Sequence, residues 1–268
     1  MPRTPAIQPT PAIQPIPMRQ LYPVQVDQDL TNAGPVAAAK AFGGAIAAYA
    51  KTLEPRARAE FLMRLDTLLY WLHGESAIAA NDGLHPKHRV MNYHDYFVNA
   101  LSSNDTVIDL GCGVGALAAS IASRTGAAVV GMDLSPTNLD KARLRAGKDG
   151  LDSRLSYILG DITTTRAPGI FSAIILSNVL EHLTDRVALL KLWREWYNPS
   201  TFLIRVPALD RDWRVPWKQE LGVEWRLDET HETEYSRSQL LAELADAGLV
   251  AQDLIANWGE YWLRATPV

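Results

Sequence analysis

Residues 107–122 read VIDLGCGVGALAASIA, and this stretch decides the fold. A short apolar, β-branched run, TVIDL (106–110), delivers the chain into Gly111, Gly113 and Gly115, and a helix-forming run, ALAASIASR (116–124), follows at once. Glycines at a strand-to-helix turn permit the tight bend and let a ligand approach the backbone closely. Gly111, Gly113 and Ala116 satisfy a dinucleotide fingerprint in its G-x-G-x-x-A form, which is a weak signal when it stands alone.

Outward from this turn, strands and helices alternate. AAVVGMD (127–133), LSYILG (155–160), FSAIILS (171–177) and TFLIRVP (201–207) read as strands, with helices at 136–146 and 188–197 between them. Such alternation predicts a parallel sheet covered by helices on both faces. A polar and aromatic segment, 208–235, interrupts it. After a helix at 237–247, runs at 249–256 and 260–265 flank Asn257-Trp258-Gly259 and predict an antiparallel hairpin at the sheet edge.

Upstream, 35–51 is alanine-rich and reads as a helix weakened by Gly43-Gly44. A second helix opens at Glu54-Pro55. Phe61, Leu62, Leu65, Leu68, Leu69 and Leu72 have the three-and-four spacing of one face, expected to be buried against the sheet or a second subunit, and Gly74 is its expected end. A third helix is expected from Val90 to Leu101. The organisation is thus a Pro-rich disordered tail (1–33), a helical extension (34–84) and an α/β domain (85–268) with an insertion at 208–235.

Composition is that of a globular protein: 268 residues, 47% hydrophobic and 21% charged. A net charge of −4 argues against gripping phosphate backbones, so no nucleic-acid partner is expected. No run reaches the length of a membrane span, and the prolines of the start would break a secretory signal. The single cysteine, Cys112, forms no internal disulfide, which agrees with a cytoplasmic location.

Three carboxylates narrow the ligand. Asp109 ends the first strand, where it would repel a pyrophosphate and attract an ammonium or sulfonium. Asp133 ends the second strand and can accept from ribose hydroxyls, with Leu134 beside it. Asp161 ends the third, placed to accept from an adenine amino group while Ile162 packs on the ring.

Asp109-x-Gly111-x-Gly113-x-Gly115, Asp133, Gly160-Asp161 and SNVLEHLTD, in this order, resemble the class I S-adenosylmethionine-dependent methyltransferases over about residues 85–265. The resemblance implies a doubly wound, Rossmann-like sheet of seven strands with its last strand antiparallel, S-adenosylmethionine as cofactor, and backbone near Ser177 and Asn178 against the methionyl ammonium. It also implies a basic residue before the first strand for the methionyl carboxylate, and Arg89 is the candidate. A nicotinamide-dependent oxidoreductase, disfavoured by Asp109, and a non-catalytic adenosylmethionine-binding partner protein are the alternatives.

Methyl transfer from a sulfonium is displacement at carbon, so positioning carries much of the rate and a base serves a hydroxyl acceptor. His231, in the insertion among Glu229, Glu232 and Glu234, is the first candidate base, and His182 the second. In the ubiquinone-biosynthesis type of O-methyltransferase, which SNVLEHLTD also resembles, two acids and a histidine hold a divalent metal here. Asn178 stands in place of the first acid, and an amide is a poorer ligand, so no metal is expected. His85, His88 and His94 lack cysteine and a helically spaced carboxylate, so no metal is expected there either. Trp213, Trp217 and Trp225 among many charges suit a sugar acceptor, and HPKHR with this segment resembles a bacterial group of small-molecule and sugar O-methyltransferases. A homo-oligomer through the N-terminal helices completes the expectations.

Overall fold

In the computed structural model the structure describes Asn32 and residues 34–268, so the expectations for the Pro-rich start lie outside the described residues. The chain forms two compact units: the described residues up to Leu72 together with Lys218–Glu224, and His73–Trp217 together with Trp225–Val268.

The larger unit holds β1 (Thr106–Leu110), β2 (Ala128–Asp133), β3 (Leu155–Leu159), β4 (Ala173–Ser177), β5 (Thr201–Pro207), β6 (Leu249–Asn257) and β7 (Glu260–Pro267). They make one seven-stranded sheet in the order β3-β2-β1-β4-β5-β7-β6. Pairings among the first five strands are parallel, with Ile108 opposite Val130 and Ile174. β7 runs antiparallel to both β5 and β6. The expected hairpin therefore exists, with its second strand inserted between β5 and the edge strand β6. The reversal of strand order lies between β1 and β4, which is where ligands enter open α/β sheets.

Strand alternation divides the core in two. Ile108, Leu110, Ile174, Leu176, Phe202 and Ile204 fill one face, with Trp193. Val107, Val129, Ile175 and Leu203 fill the other, with Phe97 and Ile121. Both faces are dry because helices cover them, which is why these strands read as continuous apolar runs.

The chain before β1 departs from expectation. The expected helix from Val90 to Leu101 is two helices, Lys87–Val90 and Tyr93–Asn99. Asn92 separates them in the left-handed region at φ 52°. Its side-chain amide donates to Asp95, so the break is stabilised locally.

The smaller unit contains α1 (Gly34–Thr52) and most of α2 (Pro55–Ala79). We number the helices in chain order, so Lys87–Val90 is α3 and Tyr93–Asn99 is α4. α1 runs unbroken through Gly43-Gly44. α2 passes Gly74, because a glycine inside a helix costs about 1 kcal/mol and does not stop it. The expected apolar face of α2 is only partly covered within the single chain: Phe61, Leu65 and Leu68 are partly buried, whereas Leu62, Leu69 and Leu72 are 38%, 42% and 42% exposed. Its buried residue is Thr67, whose hydroxyl meets Lys218 Nζ at 2.9 Å while Asp66 pairs with the same ammonium at 2.7 Å. The boundary of this unit falls at Leu72 rather than at 84, and a short piece of the 208–235 segment belongs to it. Among the described residues no helix is long and apolar enough to cross a membrane.

Candidate functional site

The site is built at the carboxyl ends of β1, β2, β3 and β4. Gly111 N and Cys112 N both donate to Met132 O, at 2.8 and 3.0 Å, which folds the glycine loop against the end of β2. Gly111 sits at φ 75°, and a Cβ there would lie 2.7 Å from Val179 Cγ2, so this position needs glycine for space as well as for backbone conformation. Helix α5 (Ala116–Thr125) starts directly after Gly115.

Asp133 ties the loop to β2. Its Oδ2 accepts from Gly113 N at 2.8 Å and its Oδ1 from Ser135 N at 2.9 Å. Oδ1 also accepts from Asn138 Nδ2 at 3.4 Å, so Oδ2 is the oxygen that keeps a lone pair for a ligand hydroxyl. Leu134 next to it is 74% exposed, an apolar side chain standing open at the strand ends. Asp161 Oδ1 accepts from both the backbone and the hydroxyl of Thr163, which holds its carboxyl below the usual range. The Ile162 carbonyl accepts from Trp193 Nε1 at 3.0 Å, fixing the turn where the ring-packing side chain is carried.

Asp109 behaves differently. It points to the same sheet face as Val107 and is buried. Burial, and then the Asp133 carboxylate, push its carboxyl up to about 7, against the pull of Arg205. Arg205 is the large buried cation of this end of the sheet. Its Nε donates to Asn178 Oδ1 at 2.9 Å and lies 3.2 Å from Glu260 Oε2, and its guanidinium carbon stands 3.7 Å from the centre of the Tyr93 ring. Its Nη1 is buried without a hydrogen-bond partner. Burial and then Arg205 lower Lys87, the neighbouring ammonium. Arg89, the cation expected to meet the methionyl carboxylate, is exposed on α3. Sequence reasoning did not single out Arg205 or Lys87, which the structure places beside Asn178 and Glu260. The available signal was an arginine inside an otherwise apolar strand, TFLIRVP, which burial forces to find partners.

Beyond β4, Ser177 is half-buried and Asn178 adopts φ 57°. Asn178 N donates to Arg205 O at 2.8 Å. The chain then makes one turn of 3-10 helix at Leu180–His182. Glu181 is fully buried there, and neither carboxylate oxygen has a hydrogen-bond partner. Burial pushes it up to about 8. Two candidate catalytic residues meet beside it: the rings of His182 and His231 pack edge to face with centres 4.6 Å apart. The 208–235 segment is bonded onto this turn, with Glu232 N and Thr233 N donating to Glu181 O at 2.7 and 3.2 Å. Burial, then His231, lower His182. His88 and His94 instead bond one another at 3.0 Å, and burial holds them at about 3 and about 4.

Residues 107–200 match the family described as a methyltransferase domain. The ubiquinone biosynthesis O-methyltransferase of Rhodopseudomonas palustris (strain BisA53) is 30% identical over 171 residues, 57% of this chain and 64% of that protein. The enzyme of the same name from Nitrosomonas europaea is 33% identical over 115 residues, 41% of this chain and 48% of that protein. The chain thus spans less than two thirds of the length of these relatives. Among solved structures, the pyocyanin biosynthetic protein PhzM aligns with a TM-score of 0.58 at 16% identity, covering 74% of this chain and 62% of that one. The mitomycin 7-O-methyltransferase MmcR aligns at 0.56 and 17%, covering 80% and 69%. At such identities these two report the fold. Sheet topology, the glycine loop joined to Asp133 and the methyltransferase domain matched over residues 107–200 together support the reading of this chain as a class I S-adenosylmethionine-dependent methyltransferase.

Proposed function

We propose that the protein transfers a methyl group from S-adenosylmethionine to a hydroxyl of a small polar acceptor. The observation that carries this reading is the bond from Gly113 N to Asp133 Oδ2, which sets a ribose-accepting carboxylate and the glycine loop in one rigid unit. Asp109 then faces the positive end of the cofactor, Asp161 and Ile162 the adenine, and Ser177 and Asn178 the methionyl end. His182 and His231 manage the acceptor's proton. A nicotinamide cofactor is disfavoured, since its pyrophosphate would face Asp109.

The narrower reading, a sugar or glycoconjugate acceptor handled in the cytoplasm, draws support from Trp213, which is 68% exposed among charged neighbours. Stacking on an apolar sugar face uses such a ring. Self-association through α1 and α2 belongs to the same proposal, supported by the exposed Phe42, Tyr49, Leu69 and Leu72.

Calorimetry with adenosylmethionine, adenosylhomocysteine and NAD tests the cofactor. Tighter binding of NAD than of adenosylhomocysteine would overturn it. Transfer of a labelled methyl group to a panel of sugars, catechols and other hydroxyl compounds tests the acceptor. Adenosylhomocysteine binding with no transfer to any of them would favour a non-catalytic binding protein.

A further inference from the structure

Three polar groups around the end of β5 have hydrogen-bonding capacity that the chain leaves unused. Arg205 is 2% exposed, and its Nη1 has no partner. Glu181 is fully buried, and neither carboxylate oxygen has one. Lys87 is half-buried on α3, and among the described residues its ammonium makes no ion pair. Leaving buried donors and acceptors unmet is costly, most of all for charged ones, and native structures keep few of them.

The three form one electrostatic cluster, and its charges do not balance. Arg205, Glu260 and Lys87 act on the Glu181 carboxyl, and Arg205, Glu260 and Glu181 act on the Lys87 ammonium. Glu260 Oε2 lies 3.2 Å from Arg205 Nε and also accepts from Trp262 Nε1 at 2.9 Å, so that acid is already engaged. Burial pushes Glu181 up to about 8, so near neutrality it keeps its proton. Asp109, pushed up to about 7, is at most half ionised below neutrality. A positive charge is left over, shared by Lys87 and Arg205. Its place says what kind of molecule supplies the anion. The acids read as cofactor ligands, Asp109, Asp133 and Asp161, stand at the ends of β1, β2 and β3, on one side of the reversal in strand order. Arg205 and Glu181 stand on the other side, on β5 and just after β4.

We propose that Lys87 and Arg205 bind a carboxylate carried by the acceptor and that Glu181 meets its hydroxyl, which makes the acceptor a hydroxy acid. This rests on the methyl-transfer reading and narrows its acceptor. A guanidinium and an ammonium give a carboxylate charge-assisted hydrogen bonds, and a neutral carboxyl can both donate to a hydroxyl and accept from it. Lys87 keeps part of its surface open, so it is the member of the set that an entering ligand meets first. An acceptor anchored at its carboxylate holds its hydroxyl in one place, which is what a displacement at carbon requires. The methionyl end of the cofactor also carries a carboxylate, so the test has an arm for each source.

The test titrates matched pairs into the full chain saturated with adenosylhomocysteine and follows the heat: 3,4-dihydroxybenzoate against catechol, and glucuronate against glucose. At least one acid is expected to bind tenfold or more tightly than its neutral counterpart. Lys87→Met is expected to weaken that acid at least tenfold while adenosylhomocysteine affinity stays within twofold of the wild type, and Lys87→Arg is expected to restore the acid. Arg205→Gln is expected to weaken the acid as well, and Lys87→Met carries the test alone if that variant does not fold. No acid preferred over its neutral counterpart in either pair would overturn the proposal. So would a Lys87→Met protein that weakens acid and neutral compound equally. A tenfold loss of adenosylhomocysteine affinity in Lys87→Met would also overturn it, by giving the ammonium to the cofactor. Adenosylhomocysteine binding with labelled methyl transferred only to neutral hydroxyl compounds sinks this inference and leaves the methyl-transfer reading standing. Absence of adenosylhomocysteine binding sinks that reading, and this inference with it.

Discussion

The two units of this chain are held by different means. In the sheet unit Ile108, Ile174, Trp193 and Phe202 are wholly buried, and Trp193 also donates to the Ile162 carbonyl. In the helical unit the buried residues are few: Ala50, Thr67, Lys218, Leu221 and Val223, two of them polar and bonded to each other. Two long helices with exposed leucines have helix propensity and a handful of contacts, but little core of their own. Most helical stability in proteins comes from packing an apolar face, so the sheet unit is the more stable of the two and is expected to melt last.

The largest expected effect that would break this comparison is at Trp193. Trp193→Ala should cost about 3–5 kcal/mol, by lost transfer energy plus the cavity left behind. Urea unfolding of the sheet unit checks it, and a loss below about 1 kcal/mol would show that the core is not as tight as its burial implies.

Asp109 sharpens the contrast, because the sheet unit tolerates a buried acid at its ligand mouth. Its folded value of about 7 lies above the reference of 3.8, so in that window the folded protein keeps a proton that the unfolded chain has lost. Stability therefore falls as pH rises from about 4 to 7 and levels off above that. Asp109→Asn should remove the Asp109 share of this slope, leaving that of buried Glu181, and raise stability at pH 8 by about 2–4 kcal/mol, at about 1.4 kcal/mol per unit. Melting curves of both proteins between pH 5 and 8 measure it. Parallel curves would mean that Asp109 is ionised throughout.

Asp133→Ala should weaken adenosylhomocysteine binding by about 1.5–3 kcal/mol, as for hydrogen bonds to a charged acceptor. Unchanged affinity in a folded variant would move the ribose elsewhere. Because a ligand stabilises only the unit that binds it, the variant should also lose the rise in sheet-unit melting temperature that adenosylhomocysteine gives.

The smallest expected effect lies in the helical unit. Leu69→Ala removes a side chain that is already 42% exposed, so it should cost less than about 1 kcal/mol. A loss comparable to that of Trp193→Ala would show that a second molecule covers this face.

Much of the sheet unit was legible because its strands are buried on both faces and so read as apolar runs. VIDL, AVVGMD, AIILS and TFLIRV needed no context. The break before β1 was not legible, because Asn92 and Asp95 look like ordinary helix-surface residues until the left-handed turn is seen. The end of α2 was misplaced for a related reason: Gly74 is a weak stop that helix cooperativity overrides. Among candidate site residues, the glycine loop, Asp109, Asp133 and Asp161 are proposed from their positions at strand ends, and the structure places them together at the carboxyl ends of β1, β2 and β3. Arg205 was hidden inside a strand pattern that it does not disturb.

The sequence by itself determined the alternating architecture, the glycine turn and the acids that end its strands, because each is a local property of a strand or turn. Tertiary structure alone decided that β7 lies between β5 and β6, and that Arg205 takes the side chain of Asn178. It alone brought His231 across the fold to Glu181 and His182. Those outcomes depend on which chain segments stack and which buried charges find partners. The energy of such contacts is set by separation in space, to which distance along the chain gives no guide.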